Sequence, residues 1–203
     1  MGGDRAEHQQ RRSIRLKGFN YAEPGAYFLT IVTQSRLSLF GGIVDNEMHL
    51  NDAGHAITRW WFELERKFIA IETDAFVVMP NHCHGIIMMG DSIVGADLRV
   101  GSPKEAQIHP AYPGAHAGAP LPTVIQWFKT MTTNEYMRGV KTFGWPAFRR
   151  HLWQRNYYEH IIRDENSLNR IRQYILDNPI RWDADRENPA AVAPEPKDAW
   201  QLR

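Results

Sequence analysis

From Gly25 to Thr33 the chain reads Gly-Ala-Tyr-Phe-Leu-Thr-Ile-Val-Thr, an apolar, β-branched run that predicts a strand. Leu39–Leu50 predicts two short strands joined by a turn at Asp45-Asn46, a small hairpin. Asn51 or Asp52 is placed to cap a helix whose Ala56, Ile57, Trp60, Trp61, Leu64 and Phe68 recur at intervals of three and four and so share one apolar face. Strand character returns at Ile71–Met79 and again at His84–Met89. A helix beginning near Thr123 would carry Val124, Ile125, Trp127, Phe128, Met131 and Tyr136, and another spans about Ser167–Asp177, closed by Asn178-Pro179.

Strand, hairpin, helix, two strands and two helices in that order suggest an α+β fold, an antiparallel sheet with helices packed on one face. Between Gly90 and Pro122 the periodicity stops and Gly, Ala, Pro and His dominate, which predicts a surface insertion at 90–122. The organisation expected is a basic arm over 1–24, one domain over 25–182 and a tail over 183–203.

Composition narrows the class. Of 203 residues, 43% are hydrophobic and 11% aromatic, enough for a real core, and no apolar run approaches the roughly 20 residues that cross a bilayer. The start lacks the apolar segment of a secretory signal, and the single cysteine, Cys83, excludes an internal disulfide, so a cytoplasmic protein is expected. A net charge of +1 says nothing of nucleic acid, but its distribution does. From Arg138 to Trp182 nine basic residues face four acidic ones, with aromatics interleaved. Guanidinium forks for phosphates and flat rings for bases suit a single-stranded nucleic acid, although a run of this kind also reads as a solvated helical face.

His82 and His84 carry the sharpest chemical signal. One residue apart on a strand, their imidazoles project from the same face, roughly 6.5–7 Å apart along the chain, and can converge on a divalent ion. In Tyr174-Ile-Leu-Asp-Asn178-Pro179, the tyrosine and the asparagine are one helical turn apart and share a face. A phenol is a weak nucleophile at its free pKa of about 10, and a nearby cation favours the phenolate. Tyr157 and Tyr158 stand beside the same basic run and compete for the role. The bland alternative has Tyr174 packing on the sheet and Asn178 capping a helix.

Met79-Pro80-Asn81-His82-Cys83-His84 resembles the His-hydrophobic-His signature of the HUH nucleases. Leu152-Trp-Gln-Arg-Asn-Tyr-Tyr-Glu-His-Ile-Ile-Arg163, followed by Tyr174-Ile-x-x-Asn178-Pro179, resembles the REP-associated tyrosine transposases, relatives of the single-tyrosine transposases of small insertion sequences. The resemblance covers roughly Arg11–Asn188 without the insertion. It implies a ferredoxin-like fold, with Mg²⁺ or Mn²⁺ held by His82, His84 and Asn178 and Tyr174 as nucleophile. The implied reaction is nicking and transfer of single-stranded DNA through a 5′-phosphotyrosine, on hairpin-forming repeated extragenic palindromes. Imidazole also suits zinc, so the metal is named by the resemblance and not by the ligands. Arg155 and Arg163 are expected on phosphates, Trp153 and Tyr157 at the wall of the site or on DNA, and Arg12, Arg15 and Lys17 of the basic arm at the foot of a hairpin. Two rivals stand beside this reading: a DNA-binding regulator on the same scaffold without cleavage, and a metallohydrolase using a metal-bound water. Monomer and homodimer are both open.

Overall fold

A computed structural model describes residues 24–90 and 118–202. The elements are β1 (Gly25–Val32), β2 (Gly41–Val44), β3 (Glu47–Leu50), α1 (Asp52–Lys67), β4 (Ile71–Val78), β5 (His82–Met89), α2 (Leu121–Phe143), β6 (Tyr158–Ile162) and α3 (Glu165–Leu176). Four strands form one sheet in the order β4-β5-β1-β6, with every neighbouring pair antiparallel, and β2-β3 is a separate hairpin. Setting that hairpin aside, the succession β1-α1-β4-β5-α2-β6 is the split βαβ arrangement of a ferredoxin-like fold. All but the last residue of the arm at 1–24, with Arg12, Arg15 and Lys17, and most of the insertion at 90–122 lie outside the described residues.

Local chemistry sets the element boundaries. Asp45 and Asn46 turn the β2-β3 hairpin with φ of 50° and 65°, the left-handed pair that a two-residue turn of matching twist requires. The Asn51 side chain accepts the Gly54 N–H at 2.9 Å and starts α1, and Asp164 does the same for Ser167 at 2.8 Å at the start of α3. Helix α2 begins at Leu121, two residues before the expected start, because Pro122 fits a first turn whose N–H groups have no helical partner. It ends at Gly144 with φ of 72°.

The sheet separates two cores by strand parity. Tyr27, Leu29 and Ile31 of β1 and Cys83 and Ile87 of β5 face α1 and α2, meeting Ile57, Trp61, Val124 and Phe128. Phe28 and Ile86 face the other way, meeting Leu168, Ile171 and Ile175 of α3, with Trp200 closing the end. The two helices of the ferredoxin-like unit therefore share one face, as expected, and α3 covers the opposite face, over the histidine pair. Sequence periodicity missed β6, a five-residue strand of mixed polarity (Tyr-Glu-His-Ile-Ile). It forms because β1 has an open edge in register with it, Phe28 opposite His160.

Gly85, next to His84, lies against the Trp61 ring of α1. A Cβ there would lie 2.3 Å from the Trp61 ring, which stacks on Phe76 at 4.4 Å between centroids. Gly85→Ala is expected to lower the unfolding free energy by about 1–3 kcal/mol, since neither ring can yield without disturbing the other. A urea midpoint equal to wild type would refute that packing constraint.

Candidate metal and tyrosine site

β5 enters the sheet through a tight connection in which Met79 N–H donates to His82 C=O at 2.8 Å. The Asn81 amide donates to the carbonyls of Arg36 (3.2 Å) and Glu187 (2.7 Å), which fixes its Oδ1 as an acceptor. That oxygen lies 2.8 Å from His82 Nδ1, so Nδ1 carries the proton and Nε2 of neutral His82 presents a lone pair. His84 is held from the neighbouring strand, its Nδ1 2.9 Å from the Thr30 hydroxyl in the directly opposed pair Thr30–His84. Phe28 stacks on its ring at 5.4 Å. Both rings thus point their Nε2 atoms inward, and these atoms stand 3.1 Å apart.

Burial holds both imidazoles neutral. His82 is completely buried and desolvation lowers its pKa to about 3, opposed by a contact with Asn178; His84 is lowered to about 3 by desolvation and by His82. Asp185 Oδ2 lies 3.7 Å from His82 Nε2, within ion-pair distance, yet a neutral imidazole makes no ion pair. The Nε2 atoms of two neutral imidazoles and a carboxylate oxygen, all ligand atoms within 4.8 Å of one another, therefore face a common point. The buried Oδ1 of Asn178 finds no hydrogen-bond donor among the described residues. A cation there would give the Asn178 oxygen and the Asp185 carboxylate a partner, and a mixed nitrogen and oxygen set suits Mg²⁺, Mn²⁺ or Zn²⁺.

Neutral burial has a cost in acid. Between about pH 6.5 and 3 the unfolded chain protonates both imidazoles while the folded chain protonates neither, so stability falls as pH drops through that window. The expected slope is on the order of 1 kcal/mol per histidine per pH unit, read from urea midpoints at pH 7, 6 and 5 in chelator. A midpoint unchanged down to pH 5 would mean that the imidazoles charge inside the fold.

Tyr174 projects from α3 towards this point. Its ring is 5.3 Å from that of His84 and 5.9 Å from that of Phe28, and it lines a cavity of about 130 Å³ with Thr30, His84, Tyr158, Asp185 and Lys197. Helical geometry persists past the end of α3, Asp177 N–H bonding Gln173 C=O at 2.9 Å, so Asn178 stays one turn below Tyr174 and reaches His82. The structure thus brings His82, His84, Tyr174 and Asn178 together and adds Asp185, which the sequence did not single out. Asp183 and Asp185 look equivalent along the chain, and only the return of the segment after Pro179 places one of them on the histidines. Thr30 and Asn81, which orient the rings, were also missed. Asn81 stood within the quoted motif and could have been found there.

The competing tyrosines are separated by face and by partner. Tyr158 lines the cavity, but its hydroxyl donates to Asp198 at 2.7 Å, and burial together with that carboxylate pushes its pKa well up. Tyr157 lies on the α2 side, with Lys129 5.3 Å from its ring centroid. Trp153, expected at the wall of the site or on DNA, is 5% exposed in the α1/α2 core against Phe40, its indole N–H donating to Thr132 at 2.9 Å. Arg155 and Arg163 are exposed and join no ion pair among the described residues. Cys83 faces the other core, its thiol pKa raised by burial, and is no part of the donor set.

A ferredoxin-like sheet carries the histidine pair on a central strand and the tyrosine on the helix covering it, the arrangement that the resemblance to the single-tyrosine HUH class implied. No protein-family model matches the chain. It is 37% identical over 176 residues to an uncharacterized protein of Haemophilus influenzae, covering 87% of this chain and 92% of that one. Over 162 residues it is 24% identical to a protein of the same organism called “Putative REP-associated tyrosine transposase”, covering 80% of this chain and 74% of that one. A solved structure of a REP-associated tyrosine transposase bound to a REP hairpin shares the fold, with a TM-score of 0.51 at 17% identity over 84% of this chain and 74% of that one. The chain is similar in sequence to a protein of that name and shares its fold with a solved structure of the same kind. Among the described residues no helix is long and apolar enough to cross a membrane.

Proposed function

We propose that this protein nicks single-stranded DNA beside a hairpin and transfers the cut strand, with Tyr174 as nucleophile and repeated extragenic palindromes as substrate. The observation that carries the reading is the convergence of the His82 and His84 Nε2 atoms at 3.1 Å beside the Asp185 carboxylate, with the Tyr174 ring 5.3 Å from His84. Similarity to a protein solved with a REP hairpin, and to a curated protein called a putative REP-associated tyrosine transposase, supports this substrate class.

His82, His84 and Asp185, with Asn178 beside them, would hold a divalent cation, which supplies Lewis-acid polarisation of the scissile phosphate. The protein does the rest by position. Asn81 and Thr30 fix the imidazoles, and α3 holds the phenol against the histidine face. Tyr174 Oη attacks phosphorus, a tyrosyl–phosphate bond forms, and the bond to the 3′ oxygen breaks. The phenol gives up its proton and the 3′ oxygen gains one, so the broken bond's energy is kept in a 5′-phosphotyrosine and strand transfer reverses the step onto another 3′ hydroxyl. Lys197, lining the cavity, is placed to offset phosphate charge.

The test is incubation with Mn²⁺ and a hairpin DNA drawn from repeats beside the gene, labelled on the strand 3′ to the expected cut, on a denaturing gel. A labelled band at the mass of protein plus DNA, absent in chelator, is expected. Two free ends without adduct would favour the metallohydrolase, and tight binding without cutting would favour the regulator.

A further inference from the structure

Tyr174 rides on α3, and the contacts beneath α3 decide where its phenol points. Leu168, Ile171 and Ile175 form the stripe that α3 buries against Phe28, Ile86 and Trp200. Such apolar contact is non-directional, and it holds the helix on the sheet more firmly than it fixes the rotation of the helix about its own axis. At about 100° per residue, Arg172 stands about 65° to one side of that stripe and Tyr174 about 95° to the other. The two side chains therefore flank the helix, Arg172 towards the β4 edge of the sheet and Tyr174 towards His84 and Phe28.

Asp74 of β4 grips that arginine. Arg172 Nε donates to Asp74 Oδ1 at 2.9 Å and one terminal nitrogen donates to Oδ2 at 2.6 Å, a two-point fork that fixes direction as well as distance. The other terminal nitrogen donates to Asn169 Oδ1 at 3.0 Å, one turn back on α3, so the guanidinium cannot swing without losing a partner. Asp74 is held in its turn, its Oδ1 accepting the Ala75 N–H at 2.6 Å, and these donors, Arg172 first, keep its carboxyl below the usual carboxylate range. A β-bulge aims it. Thr73 pairs with Ile87 and Phe76 with Gly85, which leaves Asp74 and Ala75 together opposite Ile86. Two consecutive residues thus meet the α3 face, Ala75 packing into the core beneath the helix and Asp74 reaching the guanidinium.

Resting on the reading that Tyr174 is the nucleophile, we propose that Asp74 and Arg172 are positioning residues: their two-point pair sets the roll of α3, and with it the place of the Tyr174 phenol against His82 and His84. A roll of about 20° carries a side-chain tip at the helix periphery, about 5–6 Å from the axis, through about 2 Å. Misplacement of a reacting group by about 1 Å can cost about a hundredfold in rate. The pair is partly exposed, at 36% for the Arg172 side chain and 21% for Asp74, and pairs of that exposure add little to stability. Its loss therefore registers in the rate and leaves the fold intact.

Two conservative variants test this on the full chain: Asp74→Asn keeps the shape and removes the charge, and Arg172→Lys keeps the charge and removes the fork. Single-turnover adduct formation with Mn²⁺ and saturating hairpin DNA is expected to slow at least about tenfold in each, with hairpin affinity in chelator within about twofold of wild type and an unchanged melting curve. The double variant should be no slower than the slower single one, since either change breaks the same fork. Arg66→Lys, which alters the surface pair of Arg66 with Glu63 at 2.9 Å on α1, is the control and should leave the rate as it is. A second readout needs no activity. 3-Fluorotyrosine at position 174, observed by ¹⁹F NMR in chelator, should shift or broaden in Asp74→Asn and Arg172→Lys and stay unmoved in Arg66→Lys. The proposal is overturned if the fluorine signal does not respond, if both variants react at the wild-type rate, or if their losses multiply in the double variant. A wild type that forms no adduct, with a fluorine signal that still responds to both variants, would reject the nucleophile reading and uphold the pair's hold on the tyrosine helix.

Discussion

Tyr174→Phe is expected to abolish the covalent protein–DNA adduct, with a loss of at least about a thousandfold, while hairpin affinity stays within about threefold of wild type. The change removes one oxygen and keeps the ring that packs 5.9 Å from Phe28 and 5.3 Å from His84, so the site keeps its shape. The two neighbouring tyrosines cannot take over. Tyr158 is committed as donor to Asp198 and its proton is held more tightly than that of a free phenol, and Tyr157 lies across the sheet beside Lys129. Tyr158→Phe should therefore keep the adduct. An adduct that survives Tyr174→Phe and disappears in Tyr158→Phe would transfer the nucleophile to β6.

His84→Ala is expected to reduce adduct formation at least about a hundredfold and to remove Mn²⁺ uptake measured by titration calorimetry, and His82→Ala to do the same. Each removes one of the two inward nitrogens that stand 3.1 Å apart. Each also removes one depressed imidazole, so both variants should lose less stability than wild type between pH 6.5 and 5, a signature that a mere packing defect would not give. The two oxygen donors can be told apart in the same titration. Asp185 faces the histidines with a carboxylate 3.7 Å from His82 Nε2, and Asn178 with a buried, unsatisfied Oδ1. Asp185→Asn should weaken Mn²⁺ more than Asn178→Ala, because a charged oxygen binds a hard cation more strongly than an amide does. Unaltered Mn²⁺ affinity in both histidine variants would remove the metal from this site.

Much of the frame was legible because it is local. Alternation and β-branching marked β1, β4 and β5, Asp45-Asn46 marked the hairpin turn, and Asn51 and the three-four spacing marked α1. His82, His84, Tyr174 and Asn178 were legible for the same reason: a strand puts residues two apart on one face, and a helix does so for residues four apart. β6 was illegible because five residues of mixed polarity become a strand only against the waiting edge of β1. The burial of Trp153 was illegible because neighbours in sequence do not reveal that its indole finds Thr132, a helix away, inside the core.

The sequence by itself determined the elements, the strand carrying the histidines and the helix carrying the tyrosine, since each follows from spacings of two to four residues that short-range sterics enforce. Only the tertiary structure decided which groups meet. It put α3 on the histidine face of the sheet, brought Asp185 back over His82 and set Thr30 opposite His84. Those encounters join residues far apart along the chain. Their geometry is set by strand register and by burial of the two cores, which no local pattern encodes.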